Sequence, residues 1–144
     1  MQSFEVRGGK KLFGEITPQG AKNEALQIIS AVLLSPEKIT ISNIPDIVDV
    51  NLLIELLGEM KVKIDRQSRD TCTFQADDVD VDYLHSESYH KKSGKLRGSV
   101  MLAGPLLARF KKAYIPKPGG DKIGRRRLDT HIIGFVKFGD TFTY

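Results

Sequence analysis

GAKNEALQIISAVLLSPEKITI, residues 20–41, has a second version further along the chain, GKLRGSVMLAGPLLARFKKAYI, residues 94–115. The apolar positions of the two stretches coincide at a constant offset of 74, so that Ile28 matches Leu102 and Ile41 matches Ile115. Each stretch begins with apolar residues at helical spacing and ends in a short β-prone run, ITI or AYI. The pattern predicts that the chain contains the same structural unit twice.

A second pair of stretches completes each unit. DVNLLIELLGEMKVKI, residues 49–64, matches DTHIIGFVKFGDTFTY, residues 129–144, at an offset of 80. Both predict a helix, over residues 50–60 and 128–138, followed by a strand with alternating apolar residues, KVKID or TFTY. In the first copy TCTFQA follows KVKID across the polar link QSRD, which predicts a hairpin. The unit is of the β-α-β-α-β-β kind, with helices on one side of a small sheet, and the fold class is α/β.

Two features modify this scheme. Pro105 falls inside the first helix of the second copy, so we expect a kink there or a later start of that helix. Residues 77–93, rich in Asp, Ser and His, are interpreted as a connector between the copies. His85 and His90 lie in this connector and are expected at the surface, and no metal site is predicted because no Cys or carboxylate stands at ligand spacing.

Length and composition favour one domain. The 144 residues are 40% hydrophobic and 28% charged, which is enough to bury one core. No stretch approaches about eighteen consecutive apolar residues, and the N-terminus lacks the apolar core of a signal peptide, so we expect neither membrane insertion nor secretion. The single cysteine, Cys72, is predicted to be a strand thiol, and a reducing, cytoplasmic location fits it.

The net charge of +4 is unevenly distributed. Residues 87–127 contain twelve Lys or Arg against two acids, a net charge of +10, so the remainder sums to −6. A basic half beside an acidic half favours an anionic partner for the basic half. Nucleic acid is not expected, because few aromatic residues are interleaved with the charges and no RNA-binding or zinc signature accompanies them. Lys111 and Lys112 are predicted to be solvated.

The strongest site candidate is the stretch KPGGDKIGRRRLDTHI, residues 117–132. The rise of the offset from 74 to 80 puts six additional residues between the first strand and the second helix of the second copy, inside this stretch. Gly119 and Gly120 allow close backbone approach, and the arginines supply planar donor forks before a helix start. These features suit a phosphate or carboxylate, with Arg126 the favoured ligand. His131, in the first turn of that helix, is expected to cap or pack.

Polar residues at two other predicted helix starts are candidates for the same anion. Lys22 and Asn23 precede the apolar run of the first copy, and Asn23 corresponds to Arg97 in the second copy. If the copies pack side by side, these helix ends converge with Arg126 on one anion. Lys22 alone is equally compatible with a solvated position, so its role stays open at this point.

GAKNEAL, LRGSVMLAGPLLARF and PGGDKIGRRRLDTHI, in this order and at these separations, closely resemble the enolpyruvyl transferase family over essentially the whole chain. The PGG loop followed by GRRRLD is similar to the cell-wall branch of the family, and the shikimate-pathway branch, EPSP synthase, is the close competitor. The resemblance implies an inside-out α/β barrel of two lobes, each built of three β-α-β-α-β-β units. Only two units of the first lobe would be present, so the chain is interpreted as a truncated piece.

The resemblance also implies domain boundaries. Residues 1–21, with the opening strand SFEVRGG, would belong to the other lobe. Residues 22–84 would form the first unit and residues 85–144 the second, with an active-site loop at residues 117–127. The flank where a third unit packs in the family would be exposed, which is expected to promote self-association.

The family's chemistry is implied in the same way. It transfers the enolpyruvyl group of phosphoenolpyruvate to the 3′-hydroxyl of UDP-N-acetylglucosamine and releases phosphate, with no cofactor. Lys22 and Asn23 would hold phosphoenolpyruvate and orient the sugar hydroxyl, Arg97 and Arg126 would bracket the anionic groups, and residues 126–130 would line the sugar nucleotide. The substrate-binding residues that follow from the resemblance are Lys22, Asn23, Arg97, Arg126, Arg127, Leu128, Asp129 and Thr130.

Asp121 stands where most members of the family carry a cysteine, the proton donor that fosfomycin alkylates. By resemblance Asp121 and Lys22 are the catalytic residues, and the loop around Asp121 would close over the site as a lid. A carboxylic acid can donate the proton if burial raises its pKa, although Lys122 and Arg125 would oppose the rise. We expect insensitivity to fosfomycin. We expect no turnover by these 144 residues alone, because the family's aspartate base lies outside them.

A module that binds an anion without catalysis, reusing the same repeat, is the alternative from a different class of function. The length of the open reading frame separates the two, because a catalytic member of the family is much longer than this chain.

Overall fold

The computed structural model describes residues 3–115 and 127–143. The first half of the chain contains α1 (Lys22–Ala31), β1 (Lys38–Ile41), α2 (Val48–Glu59), β2 (Lys63–Arg66) and β3 (Cys72–Gln75). The second half contains α3 (Glu87–Ser93), α4 (Ala103–Phe110) and α5 (Asp129–Lys137). Short 3-10 helices cover Val32–Leu34, Asp82–His85 and Arg97–Leu102. Within the described ranges no helix is both long enough and apolar enough to cross a membrane.

The first predicted unit is confirmed from its first helix onward. KVKID and TCTFQ form the antiparallel hairpin of β2 and β3, and β3 also pairs with β1, so the order in the sheet is β1-β3-β2. Phe74 lies opposite Ile39 on one side and opposite Ile64 on the other. β1 and β2 are therefore the edges of this sheet, and each depends on β3 for its backbone hydrogen bonds.

The helices cover one face of the sheet, as predicted. Cys72 and Phe74 point from β3 into the core at 1% and 0% exposure. They join buried residues of the helices, among them Ile29, Leu33, Leu53, Leu56 and Leu57. On the opposite face, the hydroxyls of Thr40 and Thr73 lie 2.8 Å apart. Burial raises the pKa of the Cys72 thiol, so the predicted strand thiol is confirmed as a packed, protonated group.

The predicted helices of the second unit are confirmed, with the later start that Pro105 imposes. The segment Arg97–Leu102 is a 3-10 helix, and α4 begins only at Ala103. Pro105 then lies in the first turn of α4, where its missing N–H loses no helical hydrogen bond. α5 begins and ends within one residue of the predicted helix at 128–138.

Arg109 of α4 joins the second unit to the first. Its Nη1 donates to the carbonyl oxygen of Leu33 at 3.0 Å and to that of Ala76 at 2.7 Å. One guanidinium thereby satisfies carbonyl groups after α1 and after β3. Lys111 and Lys112, which follow α4, are exposed, as predicted.

The strands predicted at the ends of the second unit are wrong for the described residues. Neither residues 113–115 nor residues 141–143 form a strand, and the opening stretch at residues 3–9 does not form one either. In the first unit β1 and β2 bond only to β3. By the repeat, the counterpart of β3 would fall after residue 144, and among the described residues AYI and TFT have no central strand with which to pair.

The predicted connector at residues 77–93 is also wrong in part, because it is folded. It contains the 3-10 helix and α3, and it buries Leu84 and Tyr89 at 1% and 0% exposure. The hydroxyl of Ser86 caps α3 by accepting from the N–H of Tyr89 at 3.0 Å. Leu84 and Tyr89 are too few apolar residues in a polar segment to show the helical periodicity that would have predicted α3. His85 and His90 are exposed, as predicted.

Gly20, just before α1, allows the backbone to pack closely on the loop between β1 and α2. A Cβ at this position would lie 2.0 Å from the carbonyl oxygen of Asn43 and 3.3 Å from Pro45 Cδ. We expect Gly20→Ala to lower the free energy of unfolding by about 1–3 kcal/mol, because the backbone has to move. Gly104→Ala in α4 is the matched control, since its Cβ meets no atom within 4 Å. Urea unfolding followed by circular dichroism measures both, and equal losses would contradict the predicted clash.

Candidate anion-binding cleft

An open cleft of about 300 Å³ lies where the two units meet. Its walls come from α1, the first turn of α2, the 3-10 helix before α4 and the start of α5. The described residues that line it are Lys22, Asn23, Leu26, Gln27, Asp49, Arg97, Gly98, Val100, Met101, Arg127, Leu128 and His131. Three of them are cationic at neutral pH and one is a carboxylate, so this part of the wall carries net positive charge.

α1 begins at the cleft. Ala21 is its N-cap residue, with an extended backbone and no side-chain cap, and Lys22 and Asn23 are the first helical residues. The N–H of Ala25 donates to the carbonyl oxygen of Ala21 at 3.0 Å and closes the first turn. The earlier N–H groups of a helix have no acceptor within it, and they carry the positive end of its dipole. This end of α1 therefore favours an anion.

Gly98 brings the second unit against α1. A Cβ on this residue would lie 2.8 Å from Leu26 Cδ1. Leu26 is only 6% exposed, so the glycine allows the backbone of the 3-10 helix to pack directly on that side chain. Arg97, the preceding residue, consequently lines the same cleft as Lys22.

The start of α5 contributes a third set of lining residues. Arg127 and Leu128 precede the helix, and His131 lies in its first turn. Arg127 Nε donates to Asp129 Oδ2 at 2.6 Å, and Arg127 Nη2 pairs with the same oxygen. A carboxylate at a helix start is itself favoured by the helix dipole, so this pair holds the guanidinium at the cleft.

Lys22 has an ionic partner that the sequence analysis did not identify. Its Nζ lies 2.9 Å from Asp49 Oδ2, and the two side chains are 47% and 42% exposed. Asp49 lies in the first turn of α2 and lines the cleft. The repeat held a signal for it, because Asp49 is the counterpart of Asp129 at the offset of 80. Each of these acids pairs with a basic residue of the cleft.

The structure brings together most of the substrate-binding residues predicted by resemblance. Those that line the cleft are Lys22, Asn23, Arg97, Arg127 and Leu128. Asp129 reaches the cleft through its pair with Arg127, whereas Thr130 is exposed and is not among the described lining residues. Asp121 and Arg126 belong to residues 116–126, which lie outside the described residues.

Two further lining residues were not assigned to the site from the sequence. Gln27 lies one turn of α1 after Asn23, and His131, expected to cap or pack, is exposed and lines the cleft four residues after Arg127. Residues four apart on a helix share a face, so the spacing from Asn23 was the available signal for Gln27. Arg127 precedes α5, so the same rule gave no signal for His131.

The chemistry of the cleft is that of an anion receptor. It combines an ammonium group, two guanidinium groups, two side-chain amides and a helix start, which together suit phosphoryl and carboxylate oxygens. Leu26, Val100 and Met101 add an apolar part of the wall. Across the described part of the chain, no group of three or more His, Cys, Asp or Glu side chains is arranged to hold a metal ion.

Comparisons with known proteins establish the family of the chain. The profile of the family described as EPSP synthase (3-phosphoshikimate 1-carboxyvinyltransferase) matches residues 6–143, and the chain belongs to this family of enolpyruvyl transferases. It is 60% identical to the UDP-N-acetylglucosamine 1-carboxyvinyltransferase of Porphyromonas gingivalis and 58% identical to that of Bacteroides thetaiotaomicron, over 100% of its own length. The protein of that name from Bradyrhizobium diazoefficiens is 41% identical over 97% of the chain. The chain spans about a third of the length of these relatives.

Proposed function

We propose that the chain is part of an enolpyruvyl transferase that makes the first committed intermediate of peptidoglycan synthesis. The whole protein would transfer the enolpyruvyl group of phosphoenolpyruvate to the 3′-hydroxyl of UDP-N-acetylglucosamine and release phosphate. The observation that carries the proposal is the convergence of Lys22, Asn23, Arg97 and Arg127 on one cleft. The high identity to relatives that bear the name of this activity supports the choice of acceptor.

The reaction requires three kinds of group. Protonation of C3 makes C2 of phosphoenolpyruvate electrophilic, so an acid must stand near C3 while a base takes the proton of the attacking sugar hydroxyl. C2 then bonds to the sugar oxygen, and in the second step C3 loses a proton as phosphate leaves. Cations must hold the phosphate and the carboxylate throughout. We assign this last task to Lys22 and Arg97, and the orientation of the hydroxyl to the amide of Asn23.

The remaining roles rest on the resemblance. Asp121 is proposed as the acid on a loop that closes over the substrates, with Arg126 on the anionic groups and residues 126–130 along the sugar nucleotide. The positions of Arg127 and Leu128 on the cleft support this direction of the sugar nucleotide. The base for the hydroxyl is proposed to come from protein outside this chain.

The larger architecture is part of the same proposal. We interpret residues 22–84 and 85–144 as two units of one lobe of an inside-out barrel, and residues 1–21 as part of the other lobe. Supporting this, several apolar side chains of the N-terminal segment are 89% to 105% exposed, as expected of a segment that packs on protein outside the chain: Phe4, Val6, Leu12, Phe13 and Ile16. The cytoplasm is the proposed location, because the proposed substrates are intracellular metabolites and a free Cys72 thiol fits a reducing compartment.

Turnover by the intact gene product tests the proposal. Incubated with phosphoenolpyruvate and UDP-N-acetylglucosamine, it is expected to release phosphate and form the enolpyruvyl sugar nucleotide, identified by mass spectrometry. The isolated 144 residues are expected to give no turnover, because the base is proposed to come from protein outside them. Phosphate release by these residues that depends on the sugar nucleotide would contradict that expectation.

The same assay separates the alternatives. Turnover with shikimate 3-phosphate as the acceptor, and none with UDP-N-acetylglucosamine, would identify an EPSP synthase, the branch whose name the family description carries. Saturable binding of phosphoenolpyruvate without turnover of either acceptor by the intact gene product would identify a non-catalytic anion-binding module.

We also propose that the isolated chain self-associates through α5. This helix buries none of its residues, and Ile133 and Val136, one turn apart, are 54% and 51% exposed. Replacing both with serine is expected to weaken dimerisation by about tenfold or more, since each buried aliphatic side chain contributes on the order of 1 kcal/mol or more. Val48→Ser, at an 82% exposed position of α2, is the control. Sedimentation that is unchanged by the double replacement would contradict the role of α5.

A further inference from the structure

We infer that Asp49 is a positioning residue that holds the ammonium group of Lys22 in place at the cleft, an inference that rests on the proposed function. Asp49 Oδ2 accepts from Lys22 Nζ at 2.9 Å. Both residues line the cleft, so the carboxylate meets the ammonium inside the site. Asp49 acts on the reaction through Lys22 and is not itself a catalytic residue.

Magnitudes favour positioning over fold stability as the role of this pair. Its side chains are 47% and 42% exposed, and ion pairs so exposed contribute about 0–1 kcal/mol to folding. A displacement of about 1 Å in a reacting group can slow a reaction by about 100-fold. Ordering a lysine side chain costs about 1.5–2 kcal/mol, so a partner that orders Lys22 before the substrate binds reduces what substrate binding must supply.

The repeat supplies a second instance of the same arrangement. Asp129, the counterpart of Asp49, holds Arg127 with an Nε–Oδ2 distance of 2.6 Å. Each acid lies in the first turn of the second helix of its unit, and each holds a basic side chain that lines the same cleft. The helix dipole alone favours an acid at such a position but requires no basic partner in the cleft. The recurrence of the partner in both units favours a role at the site.

Kinetics of three variants in the intact gene product test the inference. Asp49→Asn is expected to lower kcat by about 10- to 100-fold while the KM for phosphoenolpyruvate changes by less than about threefold, because the ammonium is displaced but still present. Asp49→Glu retains the charge and is expected to recover most of the lost kcat. Asp46→Asn is the control, because Asp46 pairs with Arg69 at 3.2 Å and accepts from Asn51 at 2.9 Å, and none of these residues lines the cleft. Its kcat is expected to be unchanged.

The outcomes separate this inference from the proposed function. A kcat for Asp49→Asn within about twofold of the wild type, or Asp49→Glu as slow as Asp49→Asn, overturns the inference. Full activity of Lys22→Ala would also overturn it, because Lys22 would then need no positioning, whereas absence of turnover by the wild type would overturn the proposed function itself. If Lys22→Ala is inactive while Asp49→Asn is normal, only the role of Asp49 fails. Rates are expressed per active site and accompanied by the Tm of each variant, so that loss of folded protein is not counted as loss of kcat.

Discussion

Replacing Lys22 with alanine in the intact gene product is expected to lower kcat for enolpyruvyl transfer by about 100- to 1000-fold. A loss of this size is usual when one preorganised charge is removed from a site that stabilises charge developing in the transition state. Phosphate leaves in the second step, and its departing negative charge needs a nearby cation. Among the described residues that line the cleft, Lys22 is the one that carries an ammonium group, and it lies at the start of α1. Arg97 and Arg127 would remain, so substrate binding is expected to suffer less than the chemical step.

Two lysine variants serve as controls for this result. Lys38→Ala removes an equal charge from the exposed residue at the start of β1, which does not line the cleft, and is expected to leave kcat unchanged. Lys22→Arg retains the charge but replaces a compact ammonium with a planar guanidinium, so an intermediate kcat is expected. A Lys22→Ala enzyme within about threefold of the wild type would remove Lys22 from the mechanism.

Fosfomycin is expected neither to inhibit the intact gene product nor to add to it covalently. The resemblance puts Asp121 where most members of the family carry the alkylated cysteine. A thiolate is a strong nucleophile towards an epoxide, whereas a carboxylate at neutral pH is a weak one. Intact-mass measurement after incubation with the drug and UDP-N-acetylglucosamine checks this. A mass increase equal to one fosfomycin, mapped to the peptide that contains Asp121, would contradict the prediction.

The Asp121→Cys variant is expected to gain reactivity towards fosfomycin. The variant is expected to acquire one fosfomycin and to lose activity in proportion, because a thiol then stands at the alkylated position of the family. Cys72 is the internal control: it is buried in β3, and burial raises the pKa of its thiol, so it should remain unlabelled. Labelling of Cys72 in place of the new thiol would show that the loop does not occupy the position that the resemblance assigns to it.

Most helices of this chain follow from hydrophobic periodicity. α2 and α5 begin and end close to the predicted residues, and the late start of α4 follows from Pro105, because a proline is tolerated in a first turn and not in a helix interior. α3 was not predicted, since Tyr89 is the one buried apolar residue of this polar helix. Local pattern reveals a helix only where several apolar residues recur on one face.

Strands are a different case, because their hydrogen bonds come from other segments. ITI and AYI have similar local sequences, yet only ITI is a strand, β1, since it pairs with β3. β3 is also the partner of β2, so the first unit's sheet depends on one central strand. Among the described residues the second unit has no such strand, and its β-prone segments remain unpaired there.

Some residues of the candidate site are likewise predictable from the sequence, and others are not. The polar residues at the helix starts, the glycine before each apolar run and the twofold repeat can all be read from the sequence. With the resemblance they predict Lys22, Asn23, Arg97, Arg127 and Leu128 as site residues, and these five line the cleft. The repeat offered a signal for Asp49 and helical spacing offered one for Gln27, but only the fold brings the start of α2 to the start of α1 and His131 to the cleft.

By itself the sequence determined the periodic elements, the repeat, the charge asymmetry and the family, since each of these depends on residues close in the chain or on matched stretches. Only the tertiary structure decided which strands exist, that Gly98 packs on Leu26 to join the units, and that Lys22 pairs with Asp49. Gly98 and Leu26 are 72 positions apart, Lys22 and Asp49 are 27 apart, and the paired residues of β1 and β3 are 31 to 37 apart. No local preference sets the distance between such residues until the core has formed.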